Sequence, residues 1–156
     1  MKKMGAFDVN HYLVQDALTD LFKFVEDIEM CTNKYLENDK EDRLVQLAAS
    51  QALNNFVQCF KDIVDSCCSN MHGTDITLRA YIRAFYSLNC AISNDAENIL
   101  DYLVIRNDIA HEYFRFDSLA SENIAKFISY KTGFREIAET LRDYAVKSEI
   151  LKERVR

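Results

Sequence analysis

The sequence contains no proline, no tryptophan and only three glycines in 156 residues. Proline and glycine supply the backbone angles of tight turns, so their scarcity leaves few places for the hairpins of an all-β fold. Gly5, Gly73 and Gly133 are too scattered for a phosphate-cradling loop, and G-x-S-x-G, H-E-x-x-H and calcium-loop patterns are missing as well. Those absences remove most nucleotide-dependent and hydrolase chemistries. Long apolar runs are also lacking. Met1-Lys2-Lys3-Met4 resembles the charged start of a signal peptide, but Asp8, Asn10, His11, Gln15, Asp16 and Asp20 interrupt the segment behind it. No stretch has the length and apolarity of a membrane span, so a soluble, cytoplasmic protein with no membrane partner is expected. The cysteines, Cys31, Cys59, Cys67, Cys68 and Cys90, form neither a C-x-x-C pair nor a Cys/His cluster with zinc-ligand spacing. They read as reduced thiols packed as small hydrophobes, and neither a metal nor a cofactor is expected.

What is present is a globular composition. Hydrophobic residues make up 49% and charged residues 28%, with 10 Phe and 8 Tyr, which excludes disorder. Apolar residues recur at three and four positions, as one face of a helix requires, and strand alternation is absent. The pattern predicts an all-α protein: one domain over 1–156, an antiparallel helical bundle of four long helices plus a short fifth.

The first helix is expected from Asp8 to about Glu37, with Val9, Leu13, Ala17, Leu21, Val25 and Ile28 as its stripe, widened by Tyr12, Phe22 and Phe24. After the polar turn at 37–42, a second is expected over Leu44 to Ser69, with Val45, Ala48, Ala52, Phe56, Cys59 and Ile63 as its stripe and Leu44, Leu53, Phe60 and Val64 beside it. Thr74 or Asp75 would cap a shorter third helix through about Leu88. Asn94 with Glu97 resembles a capping box opening a fourth, and Asp117-Ser118 would start a last helix running to Lys152–Arg156. Gly133 inside that last helix marks a bend, a close helix contact, or only a propensity cost.

One segment gathers chemistry. In Ile105-Arg106-Asn107-Asp108-Ile109-Ala110-His111-Glu112-Tyr113-Phe114, a fixed cation, an amide, an imidazole and a phenol lie close in sequence. At about 100° per residue, Arg106 shares a face with Ala110 and Tyr113, while His111 lies about 140° away. To act on one small group, either the helix breaks near His111 or two copies of the segment meet. Arginine offers a planar fork to phosphate oxygens, and histidine titrates near neutral pH. Without a metal, RNA cleavage is the accessible phosphodiester reaction, because the 2′-hydroxyl is a built-in nucleophile. Spacing alone leaves a plain structural role open, with Arg106 paired to Asp101 or Asp108 and His111 to Glu112 or Asp108. His11 and His72, near element ends, read as surface residues.

The segment from Arg106 through His111 to Tyr113 resembles the Arg-x4-His-x-Tyr motif of HEPN domains, in particular the HepT ribonuclease toxins and the related nucleotidyltransferase substrate-binding proteins. The similarity extends upstream through Arg79-Ala80-Tyr81-Ile82-Arg83-Ala84-Phe85 and through Asn94-Asp95-Ala96-Glu97-Asn98-Ile99-Leu100-Asp101-Tyr102-Leu103. The resemblance implies a homodimer in which two motif segments face each other across a composite RNA-cleaving cleft. It implies that Arg106 stabilises the phosphate, His111 acts as acid or base, and Asn107 orients the site. It further implies that Tyr113 is the tyrosine to which a partner MNT nucleotidyltransferase antitoxin attaches AMP, adding charge and bulk beside Arg106. The alternative is a non-catalytic binding subunit for such a nucleotidyltransferase.

Charge constrains either role. Lys plus Arg is 19 against 25 for Asp plus Glu, a net charge of −6, and Asp95, Glu97, Asp101, Asp108 and Glu112 surround Arg106 and Arg115 in sequence. RNA affinity grows with the number of phosphates neutralised, so further cations are needed. Arg79, Arg83 and Arg115 are the first RNA-binding candidates, with Lys126, Lys131, Lys147, Lys152, Arg154 and Arg156 behind them.

Overall fold

A computed structural model describes residues 4–37, 43–68, 77–88, 91–112, 116–130 and 132–148, with backbone alone over 4–13, 107–112 and 116–121. The described residues form six helices and no strand: α1 Met4–Glu37, α2 Arg43–Cys67, α3 Leu78–Ser87, α4 Asn94–Glu112, α5 Phe116–Ser129 and α6 Gly133–Lys147. Helix α1 runs antiparallel to α2. Asp16 and Asp20 lie beside Asp62 and Asp65, whereas Met30 and Lys34 lie beside Leu44 and Ala48. Helices α5 and α6 pack against this hairpin, α4 packs against α5 and α6, and α3 bridges α2 and α4.

The stripes have the expected period but are partly displaced. On α1, Leu21, Val25 and Ile28 are buried as expected, but the stripe continues to Cys31 and Thr32 and includes Val14 and Leu18, with Ala17 only half-buried. Val9, Tyr12 and Leu13 fall outside the described side chains. On α2 the buried face is Ala49, Ser50, Ala52, Leu53, Phe56, Phe60, Ile63 and Val64. Ala48 and Leu44 are exposed, Val45 and Cys59 half-buried. The displacement has a physical source, because α2 must face α5 as well as α1, which rotates its buried arc toward Ala49 and Leu53.

Two helix starts also differ from expectation. Thr77 caps α3, its hydroxyl accepting the Ala80 N–H at 3.2 Å; Thr74 and Asp75 lie outside the described residues. At α4, Ser93 rather than Asn94 stands at the cap, its carbonyl accepting the Glu97 N–H at 3.0 Å and its hydroxyl the Ala96 N–H at 3.4 Å. The acid that completes the arrangement is Glu136 of α6. Its carboxylate accepts both the Ser93 N–H, at 2.7 Å, and the Ser93 hydroxyl. A role usually filled within a helix by the third residue is here filled from another helix.

The expected single last helix is two, so the described chain has six helices where five were expected. The turn between them comes at Gly133, whose N–H donates to the Tyr130 carbonyl at 2.8 Å. A Cβ at Gly133 would fall 2.7 Å from Ile99 Cγ1 and 2.8 Å from the Asp95 carbonyl oxygen, so the glycine marks a close contact with α4. Turning there also drives Phe134 into the core. Its ring meets Phe56 of α2 edge-on at 5.0 Å and Phe127 of α5 at 5.1 Å, so one residue ties three helices together. Arg135 then clamps α6 to α1, its Nε and Nη2 bonded to the two Glu29 carboxylate oxygens at 2.9 and 2.7 Å.

Candidate functional site around Arg106

Helix α4 carries Arg106, Asn107 and His111, and it is continuous through Glu112. Arg106 and His111 thus share one unbroken helix, which ends at Glu112, the residue after His111. The backbone holds Arg106 and His111 about 140° apart around the axis and about 7.5 Å apart along it. The side chains of Asn107, Asp108 and His111, and the whole of Tyr113 and Arg115, lie outside the described residues.

Arg106 sits one turn beyond Tyr102 on the same side of α4. It is half-buried, and its Nε is fully buried without a hydrogen-bond partner. Burial pushes its pKa down, and the Tyr102 charge opposes this. Among the described residues no carboxylate pairs with it, Asp101 included. The guanidinium stays charged at neutral pH, because arginine starts from so high a value. The fold thus holds a partly desolvated cation without a described counter-ion, which interiors normally avoid.

Tyr102, one turn before Arg106, begins a chain of buried polar groups. Tyr102 of α4, 5% exposed, donates its hydroxyl to Asn123 Oδ1 of α5, which is 0% exposed. Asn123 Nδ2 in turn donates to Ser50 Oγ of α2, 3% exposed, at 3.2 Å. Burial pushes the Tyr102 phenol well above its ordinary pKa, the Glu122 charge adding to this and Arg106 opposing it. The phenol therefore keeps its proton and can act as a donor. That fixes the orientation of Asn123, oxygen toward Tyr102 and nitrogen toward Ser50. Sequence reasoning missed this chain. Its one visible trace is Asn123, a polar residue between apolar helical positions at Ala120, Ile124 and Phe127.

The cationic candidates are placed as follows. Arg79 and Arg83 are exposed on α3. Tyr86 on the same helix feels the charges of Glu97 and Asp101, which places the end of α3 beside the first half of α4, upstream of Arg106. Lys126 is half-buried on α5 with its ammonium 5.8 Å from the Tyr130 ring centre, and Lys147 is exposed at the end of α6. Lys131, Lys152, Arg154 and Arg156 lie outside the described residues. The structure brings none of the described cations into contact with Arg106.

Burial pushes the Cys31, Cys59 and Cys68 thiols upward, Cys59 to about 11 with Asp20 and Asp62 adding to the effect, so these three are held protonated rather than activated. Among the described residues no helix is long and apolar enough to cross a membrane.

Fold and site together define an all-α helical protein with a desolvated arginine one turn from the end of a buried tyrosine–asparagine–serine chain. No protein-family model, curated protein or solved structure matches the chain.

Proposed function

We propose that the chain is a metal-independent endoribonuclease of the HEPN type, the toxin of a HEPN/MNT toxin–antitoxin pair, acting as a homodimer with RNA as substrate. The observation that carries the reading is Arg106: a half-buried guanidinium with no described carboxylate partner is suited to an anion that arrives from outside. The continuous helix through His111 supports the dimer, because His111 of one copy can approach the phosphate held by Arg106 of the other where a single helix face cannot offer both. In the reaction, the 2′-oxygen attacks phosphorus and the 5′-oxygen departs, leaving a cyclic phosphate. His111 takes the 2′-proton or gives one to the leaving oxygen, Arg106 neutralises charge on the phosphoryl oxygens, and Asn107 orients the site. AMP on Tyr113, attached by an MNT-type nucleotidyltransferase, would place a second phosphate where RNA must bind.

The test is cleavage of a labelled RNA with excess chelator present. Arg106→Ala and His111→Ala are each expected to lower the rate about 100-fold or more. If both variants cut as fast as the parent, the activity belongs to another site or protein.

One observation favours a second reading, a non-catalytic subunit that docks a nucleotidyltransferase: acidic residues outnumber basic ones along 95–116. Co-purification with such an enzyme, without growth inhibition when the chain is expressed alone, would select it.

A further inference from the structure

Three buried polar side chains from three helices form a hydrogen-bonded chain that ends at Tyr102, one turn before Arg106, and no part of the proposed reaction uses them. Buried polar groups are retained at a free-energy disadvantage relative to apolar packing unless they fix a geometry. Ser50, Asn123 and Tyr102 are all nearly inaccessible, and they join α2, α5 and α4 in one unbranched chain of hydrogen bonds. Each link has a defined direction, because the phenol must donate and the amide then has one orientation left. Hydrophobic contacts alone would allow α4 to slide or rotate slightly against its neighbours; these directional bonds do not. The end of the chain, Tyr102, is one helical turn from Arg106 on the same face, so the register it fixes is that of the guanidinium.

We propose that Tyr102, Asn123 and Ser50 are positioning residues for Arg106, holding its side chain with Nε turned inward so that the guanidinium is preset for a phosphate group. This rests on Arg106 being the phosphate-contacting residue of the site proposed above, and it is independent of whether RNA is then cleaved. A phosphate oxygen is the acceptor class that matches a charged planar donor lacking a carboxylate. Presetting matters because a cation that must first reorganise loses part of its attraction for the anion.

The test follows the arginine Nε–H groups by NMR in protein labelled with nitrogen-15 arginine, titrated with inorganic phosphate. Arg106→Lys assigns the Arg106 signal, and Arg135, held by Glu29 at 2.9 Å, is the internal control. In the parent, phosphate is expected to shift the Arg106 signal and slow its solvent exchange while Arg135 stays fixed. In Tyr102→Phe, phosphate affinity should fall about tenfold, and the free-state Arg106 signal should broaden or move, again with Arg135 unchanged. Ser50→Ala breaks the far end of the chain with a smaller excision and should reproduce a weaker version of both changes; it decides the matter if Tyr102→Phe does not fold. A parent Arg106 signal indifferent to phosphate overturns the proposal. So do variants that lower thermal stability while leaving the Arg106 signal and phosphate affinity at parental values, because that outcome assigns the chain a packing role only. An RNA assay that stays silent while the Arg106 signal still depends on Tyr102 removes the ribonuclease reading and leaves the positioning role standing.

Discussion

Arg106 carries a charge that its surroundings penalise and that no described carboxylate offsets. Sites of this kind exchange stability for function, so a side chain of similar length without charge should fit better there. Arg106→Met keeps the apolar stem in place and removes the guanidinium. It is expected to raise the unfolding free energy by about 0.5–2 kcal/mol while abolishing phosphate binding, read as a higher urea midpoint at unchanged slope. A lower midpoint would mean that the guanidinium has a stabilising partner after all. The thiols offer a second prediction at this scale. Cys59 has a folded pKa of about 11 against an ordinary 9.0, so the fold favours the protonated thiol. Its contribution to stability is complete below pH 9 and is lost as pH rises toward 11. Between those limits the parent should lose stability more steeply than Cys59→Ala, and equal slopes would rule the thiol out as the cause. The sequence singles out Arg106 by its spacing to His111 and Tyr113, but it gives no sign of the buried polar chain that ends one turn before it. Tyr102, Asn123 and Ser50 are separated by 21 and 73 positions, and a Tyr, an Asn or a Ser within an amphipathic helix carries no mark of its partner.

At the scale of elements, helical spacing predicted which segments are helical, because a 3.6-residue period is a local property. It did not predict where helices start, stop or turn when another helix supplies the reason. Ser93 becomes a cap because Glu136 of α6 reaches it, and residues 93 and 136 are not neighbours in any local pattern. The break before α6 follows the same logic. A glycine within a helix costs only about 1 kcal/mol, too little to announce an end, whereas the approach of α6 to α4 forbids any side chain at all. Gly133→Ala should gain helix propensity and still destabilise. The new Cβ meets a backbone carbonyl at 2.8 Å, and the carbonyl belongs to the first turn of α4, which Ser93 and Glu136 anchor. The expected loss is about 1–3 kcal/mol, measured by thermal or urea unfolding. A neutral or stabilising result would show that α4 and α6 slide apart freely, and would weaken the case that α4 is held in a fixed register.

For the molecule as a whole, the charge of −6 decides how RNA can be held, if RNA is the ligand. Asp16, Asp20, Asp62 and Asp65 line one groove between α1 and α2, so that face repels a polyanion. The cations of α3, Arg79 and Arg83, are exposed; Tyr81 between them feels Asp62 and Asp65 of α2, and the end of α3, at Tyr86, lies beside the first half of α4 and its acidic residues. A dimer built on the motif would bring two Arg106 side chains to one cleft. Binding of single-stranded RNA releases roughly 0.7 counterions per phosphate neutralised, so two arginines predict a log–log salt slope of roughly −1.4. That is a shallow dependence for a nucleic-acid ligand. Measuring the affinity of a non-cleavable RNA between low and physiological salt checks it. A slope steeper than about −3 would mean that a wider basic surface takes part, and Arg79→Ala and Arg83→Ala should then each flatten it by about 0.7. If those variants leave a steep slope untouched, the cations come from residues beyond α3, and the two-arginine cleft is not what holds the RNA.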